Sequence, residues 1–108
     1  MGKMKEIADY LPLSEATYYI MLALVNPMHG YGVMQFVEEV SGGAVTVGPG
    51  TLYGAVSTLE EEKFIEMVRE EGRRKEYQLT PKGKAVLNAQ LERLEQMVGL
   101  GKKALKED

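Results

Sequence analysis

The sequence predicts an α+β fold, mainly helical: three short helices, a charged β-hairpin and a longer closing helix. Three observations carry this. Apolar residues recur at helical spacing in three segments separated by Pro and Gly signals. Two short β-prone runs, residues 65–68 and 75–79, flank a charged stretch containing Gly72. Leu87, Leu91, Leu94 and Val98 then follow the 4-3-4 spacing of a helical seam. That order is the winged helix-turn-helix arrangement, with the third helix as recognition helix and the hairpin as wing.

The first helix is expected over residues 14–25. Ser14 can cap it, and Pro27 disfavours helical geometry at Asn26. Ala16, Tyr19, Ile20, Ala23 and Leu24 form one apolar face, and Tyr18, Met21, Leu22 and Val25 make the opposite face apolar too. A helix apolar all round needs cover on two sides. The turn His29-Gly30-Tyr31-Gly32 leads into a second helix carrying Val33, Met34, Val37 and Val40, ended by Gly42-Gly43. Residues 44–47 form a short β-branched run suited to an edge strand. Pro49 suits a first helical position, and the third helix runs from there to about Glu62. Residues 69–74 are expected to form the hairpin loop. Thr80-Pro81 caps and starts the last helix, with Val86, Gln90 and Met97 flanking its seam. Gly99 and Gly101 are expected to end it, leaving residues 102–108 frayed. We divide the chain into a reading unit, residues 1–80, and a helix and tail for dimerisation, residues 81–108.

With 108 residues, 44% hydrophobic and 27% charged, the composition is that of an ordinary globular domain. There is no cysteine, which excludes a disulfide framework or thiolate zinc site and points to a reducing compartment, the cytoplasm. The start has no uninterrupted apolar stretch like that of a secretory signal, and no apolar run is long enough to cross a bilayer. His29 is the single histidine, so neither a metal site nor a histidine-based triad has partners, and a local turn hydrogen bond is its expected role. Gly48-Pro49-Gly50-Thr51 lacks the Lys-Ser/Thr ending of a phosphate-binding loop. No catalytic group, metal or cofactor is expected.

A formal net charge of -3 conceals an uneven layout. Residues 1–68 carry three Lys and nine acids, residues 69–84 carry six Lys or Arg against three Glu, and residues 85–108 balance. The basic charge therefore sits in the hairpin segment, where Arg69, Arg73, Arg74 and Lys75 suit phosphate contacts or minor-groove insertion; the competing reading is a solvated hairpin tip. On the third helix Leu52, Ala55, Val56 and Leu59 share one face, and Gly50, Gly54 and Ser57 lie opposite, with Thr51, Tyr53 and Thr58 on the flanks. Helical glycines each cost about 1 kcal/mol against Ala. Two on one face are explained either by close approach to a DNA groove or by a helix start loosened by turn chemistry. Tyr53 reads as a half-buried packing residue with its hydroxyl at the surface, or as a base-stacking one.

The segments Pro27-Met28-His29-Gly30-Tyr31-Gly32, Gly48-Pro49-Gly50-Thr51-Leu52-Tyr53 and Gly72-Arg73-Arg74-Lys75-Glu76-Tyr77-Gln78-Leu79-Thr80, followed by Gly83, resemble those of the PadR family in the right order. The resemblance spans roughly residues 12–98. It implies a homodimeric winged-helix transcriptional regulator, usually a repressor, without enzymatic activity. Its third helix would read the major groove of double-stranded DNA through Gly50, Thr51, Tyr53, Ser57 and Thr58, while the wing touches the backbone. In compact members the last helix packs on the first of a second subunit, which here implicates Leu87, Leu91, Leu94, Val98, Tyr19 and Leu22. Some members sense small hydrophobic or phenolic effectors at that interface, near Tyr18, Tyr19, Leu94 and Met97 here. This sequence departs from the pattern at Leu94, where multidrug-sensing relatives carry Trp, at Thr58, where relatives often have Arg or Lys, and at Lys63, which replaces a helix-ending Gly. Two other uses of the fold compete: a protein-interaction module that binds no DNA, and a dimer whose small ligand matters more than DNA.

Overall fold

In a computed structural model that describes residues 6–106, a 3-10 turn (Ile7–Tyr10) leads to α1 (Glu15–Ala23), β1 (Met28–His29), α2 (Gly30–Val40), α3 (Pro49–Glu61), β2 (Ile65–Glu71), β3 (Arg74–Leu79) and α4 (Pro81–Lys106). Each helix start has a chemical reason. Thr17 N–H donates to Ser14 Oγ at 3.1 Å, Gly32 N–H donates to His29 Nδ1 at 3.1 Å, and Gly83 N–H donates to Thr80 Oγ1 at 3.1 Å. These satisfy amides that a helix leaves open in its first turn. Gly48 opens α3 without a side chain to cap it, and Pro49 stands at a first position where its missing N–H costs nothing. At the other ends, Gly42 and Gly43 take positive φ after α2. Lys63 does the same after α3, with φ 65°, where an L side chain is strained.

The core gathers Ile20, Met21 and Leu24 from α1, Val33 and Val37 from α2, Leu52, Val56 and Leu59 from α3, and Val86 from α4 around Phe64, Ile65 and Leu79. The sheet is antiparallel in the order β1-β3-β2 and is tied to the end of α1, where Leu79 N–H donates to the Leu24 carbonyl at 2.8 Å. This is the winged helix-turn-helix expected from the sequence, and the apolar helix α1 lies at its centre.

Three local expectations are corrected. Residues 44–47 form no strand: the Ser41 hydroxyl accepts from Val45 N–H at 3.0 Å and donates to the Val45 carbonyl at 3.1 Å, so that segment's backbone is satisfied locally while Val47 plugs the core. The third strand is Met28–His29, paired with Tyr77 and Glu76 of β3. The hairpin is longer and its turn tighter than a six-residue loop. Gly72 and Arg73 alone join the strands, with Gly72 at φ +62°, and the backbone register runs up to the turn through Arg69↔Glu76, Glu70↔Lys75 and Glu71↔Arg74, residues of opposite charge at each position. Finally, α4 continues through Gly99 and Gly101 to Lys106, neither glycine having the positive φ that ends a helix. Lys103 and Lys106 suit the negative end of its dipole, and residues 107–108 lie outside the described residues.

Candidate nucleic-acid interface

α3 buries Leu52, Val56 and Leu59 and leaves Gly50, Thr51, Tyr53, Gly54, Ser57 and Thr58 exposed. A Cβ added at Gly50 or Gly54 would meet no described atom within 4 Å. Packing within the chain therefore does not require either glycine, which leaves a smooth, uncharged helix face with room for a bulky partner. Tyr53 is 60% exposed rather than half-buried, and its phenol lies over Gly30, where an added Cβ would come within 3.3 Å of the hydroxyl.

The wing stands beside this helix. Arg73, Arg74 and Lys75, all exposed, share with Tyr53 a cleft of about 530 Å³ whose other walls are His29, Gly30, Tyr31, Val56 and Tyr77. No acid lines it. Arg69 is held elsewhere, its guanidinium paired with Glu71 at 2.9 Å. Burial first, then the carboxylates of Glu60 and Glu70 and the phenol of Tyr53, push the Tyr77 phenol above its ordinary pKa, so it remains a hydrogen-bond donor. Thus the structure brings Tyr53 and the three wing cations together. Gly50, Thr51, Ser57 and Thr58 lie on the exposed surface of the same helix but outside the cleft. Sequence reasoning missed Tyr31 and Tyr77 as cleft residues. The signal available was a tyrosine between two glycines at a helix start, which packing would not call for.

Along α4 the seam residues divide. Leu87 and Leu94 are half-buried, while Leu91, Met97 and Val98 are 44%, 59% and 55% exposed. Gln90 turns inward, where its Oε1 accepts from Leu13 N–H at 3.2 Å and ties the N-terminal segment to the helix. A shallow groove of about 220 Å³ between α1 and α4 is lined by Tyr18, Leu22, Val25, Leu79, Leu87 and Leu91, with Lys84 and Asn88 at its edge. It joins Tyr18 and Leu22 to two seam leucines; Tyr19, Leu94, Met97 and Val98 are not part of it. The Tyr19 ring instead meets that of Tyr18 edge-on at 5.9 Å. Among the described residues no cluster of three or more His, Asp or Glu is placed to hold a metal ion, and no helix is long and apolar enough to cross a membrane.

This chain is similar to an uncharacterized 37.1 kDa protein in transposon TN4556 of Streptomyces fradiae, 33% identical over 87 residues that make up 80% of this chain and 25% of that protein. It is similar also to the transcriptional regulator YqjI of Escherichia coli strain K12, 33% identical over 67 residues, 62% of this chain and 32% of that protein. The chain thus spans about a third or less of the length of these relatives. A transcriptional regulator from Clostridium thermocellum shares the fold, with a TM-score of 0.69 at 23% identity over 90% of this chain and 94% of that one. The model of the transcriptional regulator PadR-like family matches residues 19–89, the stretch from α1 through the recognition helix and wing into α4. By that match the chain belongs to the PadR-like family of transcriptional regulators.

Proposed function

We propose that this protein is a sequence-specific DNA-binding regulator, acting as a repressor, that occupies an inverted-repeat operator as a homodimer. α3 enters the major groove and offers Thr51, Ser57 and Thr58 to base edges, with Gly50 and Gly54 allowing close approach; Arg73, Arg74 and Lys75 hold the backbone. The observation that carries this reading is the adjacency of an uncharged, obstacle-free helix face and three exposed wing cations around one cleft with no acid among its described lining residues. Binding, not catalysis, is the activity assigned, and the cytoplasm is its place.

Residues 81–108 supply the dimer contact. Leu87, Leu91, Leu94 and Val98 form an apolar stripe that a second copy covers, together with Tyr19 and Leu22 of α1. A small hydrophobic or phenolic effector, entering beside Tyr18 where α1 meets α4, loosens the dimer from its operator. Selection of bound duplexes from a random pool tests the whole reading. Recovery of an inverted repeat with half-sites about one helical turn apart is expected. Recovery of no preferred sequence would refute it.

A further inference from the structure

Tyr31 is a large side chain for which the fold has no evident use. It is the second residue of α2, lies between Gly30 and Gly32, and is 63% exposed. Its hydroxyl has no hydrogen-bond partner among the described residues. What surrounds it is informative. It lines one cleft with Arg73, Arg74, Lys75 and the Tyr53 phenol, and no carboxylate among the described residues is part of that lining, while Glu60 and Glu70 lie beside Tyr77. α2 also begins here, so the positive end of its dipole adds to the field of the cations.

In a helix-turn-helix the recognition helix fills the groove while the helix before it crosses the sugar-phosphate backbone. α2 is that preceding helix. We propose that one DNA strand runs through this cleft, its phosphates held between the wing cations on one side and the start of α2 on the other, with the Tyr31 hydroxyl donating to a phosphate oxygen. The inference rests on the DNA-binding reading above and assigns a contact that reading does not contain. A phosphate suits this lining: the cations balance its charge, a phenol donates to it, and no carboxylate stands among the described lining residues to repel it. Because such a contact fixes register without reading sequence, Tyr31 is a positioning residue.

The test uses the full chain and an operator recovered by selection. Tyr31→Phe removes one hydroxyl from an exposed ring, so its melting temperature is expected to match the wild type. Its affinity should fall about tenfold for operator and random duplex alike, since each dimer gives up two hydroxyls. The dependence of affinity on salt should keep its slope, since no charge has changed. Duplexes bearing one uncharged methylphosphonate linkage, moved position by position across a half-site, then locate the partner. Both proteins should weaken where a linkage that meets the wing cations is made neutral, but at one linkage the wild type should lose more than Tyr31→Phe, the difference being the share of the hydroxyl. Unchanged affinity of Tyr31→Phe, or equal weakening of both proteins at every linkage, would overturn the clamp while leaving DNA binding intact. Failure of the wild type to hold any duplex would overturn both.

Discussion

Neutralising the wing gives the sharpest quantitative test, because the structure sets the number of cations available. Arg69 is engaged with Glu71 at 2.9 Å, which leaves Arg73, Arg74 and Lys75 lining the cleft, three per chain and so six in the proposed dimer. Each cation that neutralises a phosphate releases condensed counterions, and log affinity falls by about 0.9 per decade of salt for each. A wild-type slope of about -5 follows if all six engage. In the variant Arg73→Gln with Arg74→Gln only Lys75 remains, and the slope relaxes to about -2. Between about 50 and 200 mM salt the wild type should then lose about three decades of affinity and the variant about one. Operator and random duplex should weaken together. By contrast, replacing Thr51, Ser57 and Thr58 with Ala removes no charge, so the slope should hold while discrimination shrinks, by about 1 to 3 kcal/mol for each base that is no longer read. Salt titrations of both variants on both duplexes make the comparison. A slope that stays steep after the arginines are gone, or discrimination that collapses in the wing variant and survives in the helix variant, would refute the division of labour.

Leu91→Asp puts a charge into the apolar stripe of α4 at an exposed position, so it should leave the subunit folded and give monomers by sedimentation; a dimer persisting at micromolar concentration would place the interface elsewhere. Gly83→Ala should lower the melting temperature by about 10 °C, since its Cβ would fall on the Phe64 carbonyl and such overpacking costs about 2 kcal/mol. An unchanged melting curve would mean α4 does not approach Phe64 so closely. A screen of phenolic acids and planar cationic drugs should yield a compound that raises the melting temperature and weakens operator binding; none doing either would leave a regulator without an effector.

The helices were legible because each carries its own period and its own punctuation. Ser14, Pro49, Thr80-Pro81 and Gly42-Gly43 act on the backbone within a turn of themselves, so their effect needs no tertiary context. The strands were harder for the opposite reason. Met28–His29 is too short to show alternation, and it becomes a strand only because β3 presents a free edge to it. The hairpin looked like a loop because its residues are charged; the backbone register of β2 on β3, which sets opposite charges across from one another, shows only in the folded sheet. Gly99 and Gly101 misled because glycine weakens a helix by about 1 kcal/mol without forbidding it. The site was half legible. Composition marked the wing cations, and the wheel marked the smooth face of α3. That Tyr31 lines one cleft with those cations depends on how α2, β1 and the wing are assembled, which no local pattern encodes.

The charge layout explains how an acidic protein can be matched to a polyanion. From Pro49 to Leu59 α3 carries no charge, and its three consecutive acids, Glu60, Glu61 and Glu62, are gathered at the C-terminal end. That is where the helix dipole disfavours them, by a few tenths of a kcal/mol each at an exposed end. The arrangement is offset from outside the helix, since the Lys82 ammonium donates to the Glu62 carbonyl at 3.0 Å and covers part of that end. α2 repeats the pattern, with Glu38 and Glu39 near its C-terminus and no acid in its first turn. Local helix stability would favour acids at the beginnings of both helices, beside Tyr31 and Gly50, and the sequence has none there. Keeping the approach to an anion clear accounts for that departure. The excess of negative charge elsewhere then works for recognition, because a subunit that meets DNA with the wrong face is repelled and one that meets it wing-first is drawn in. Net charge is therefore the wrong measure for this protein; on the proposed reading, affinity follows the cations that reach the backbone.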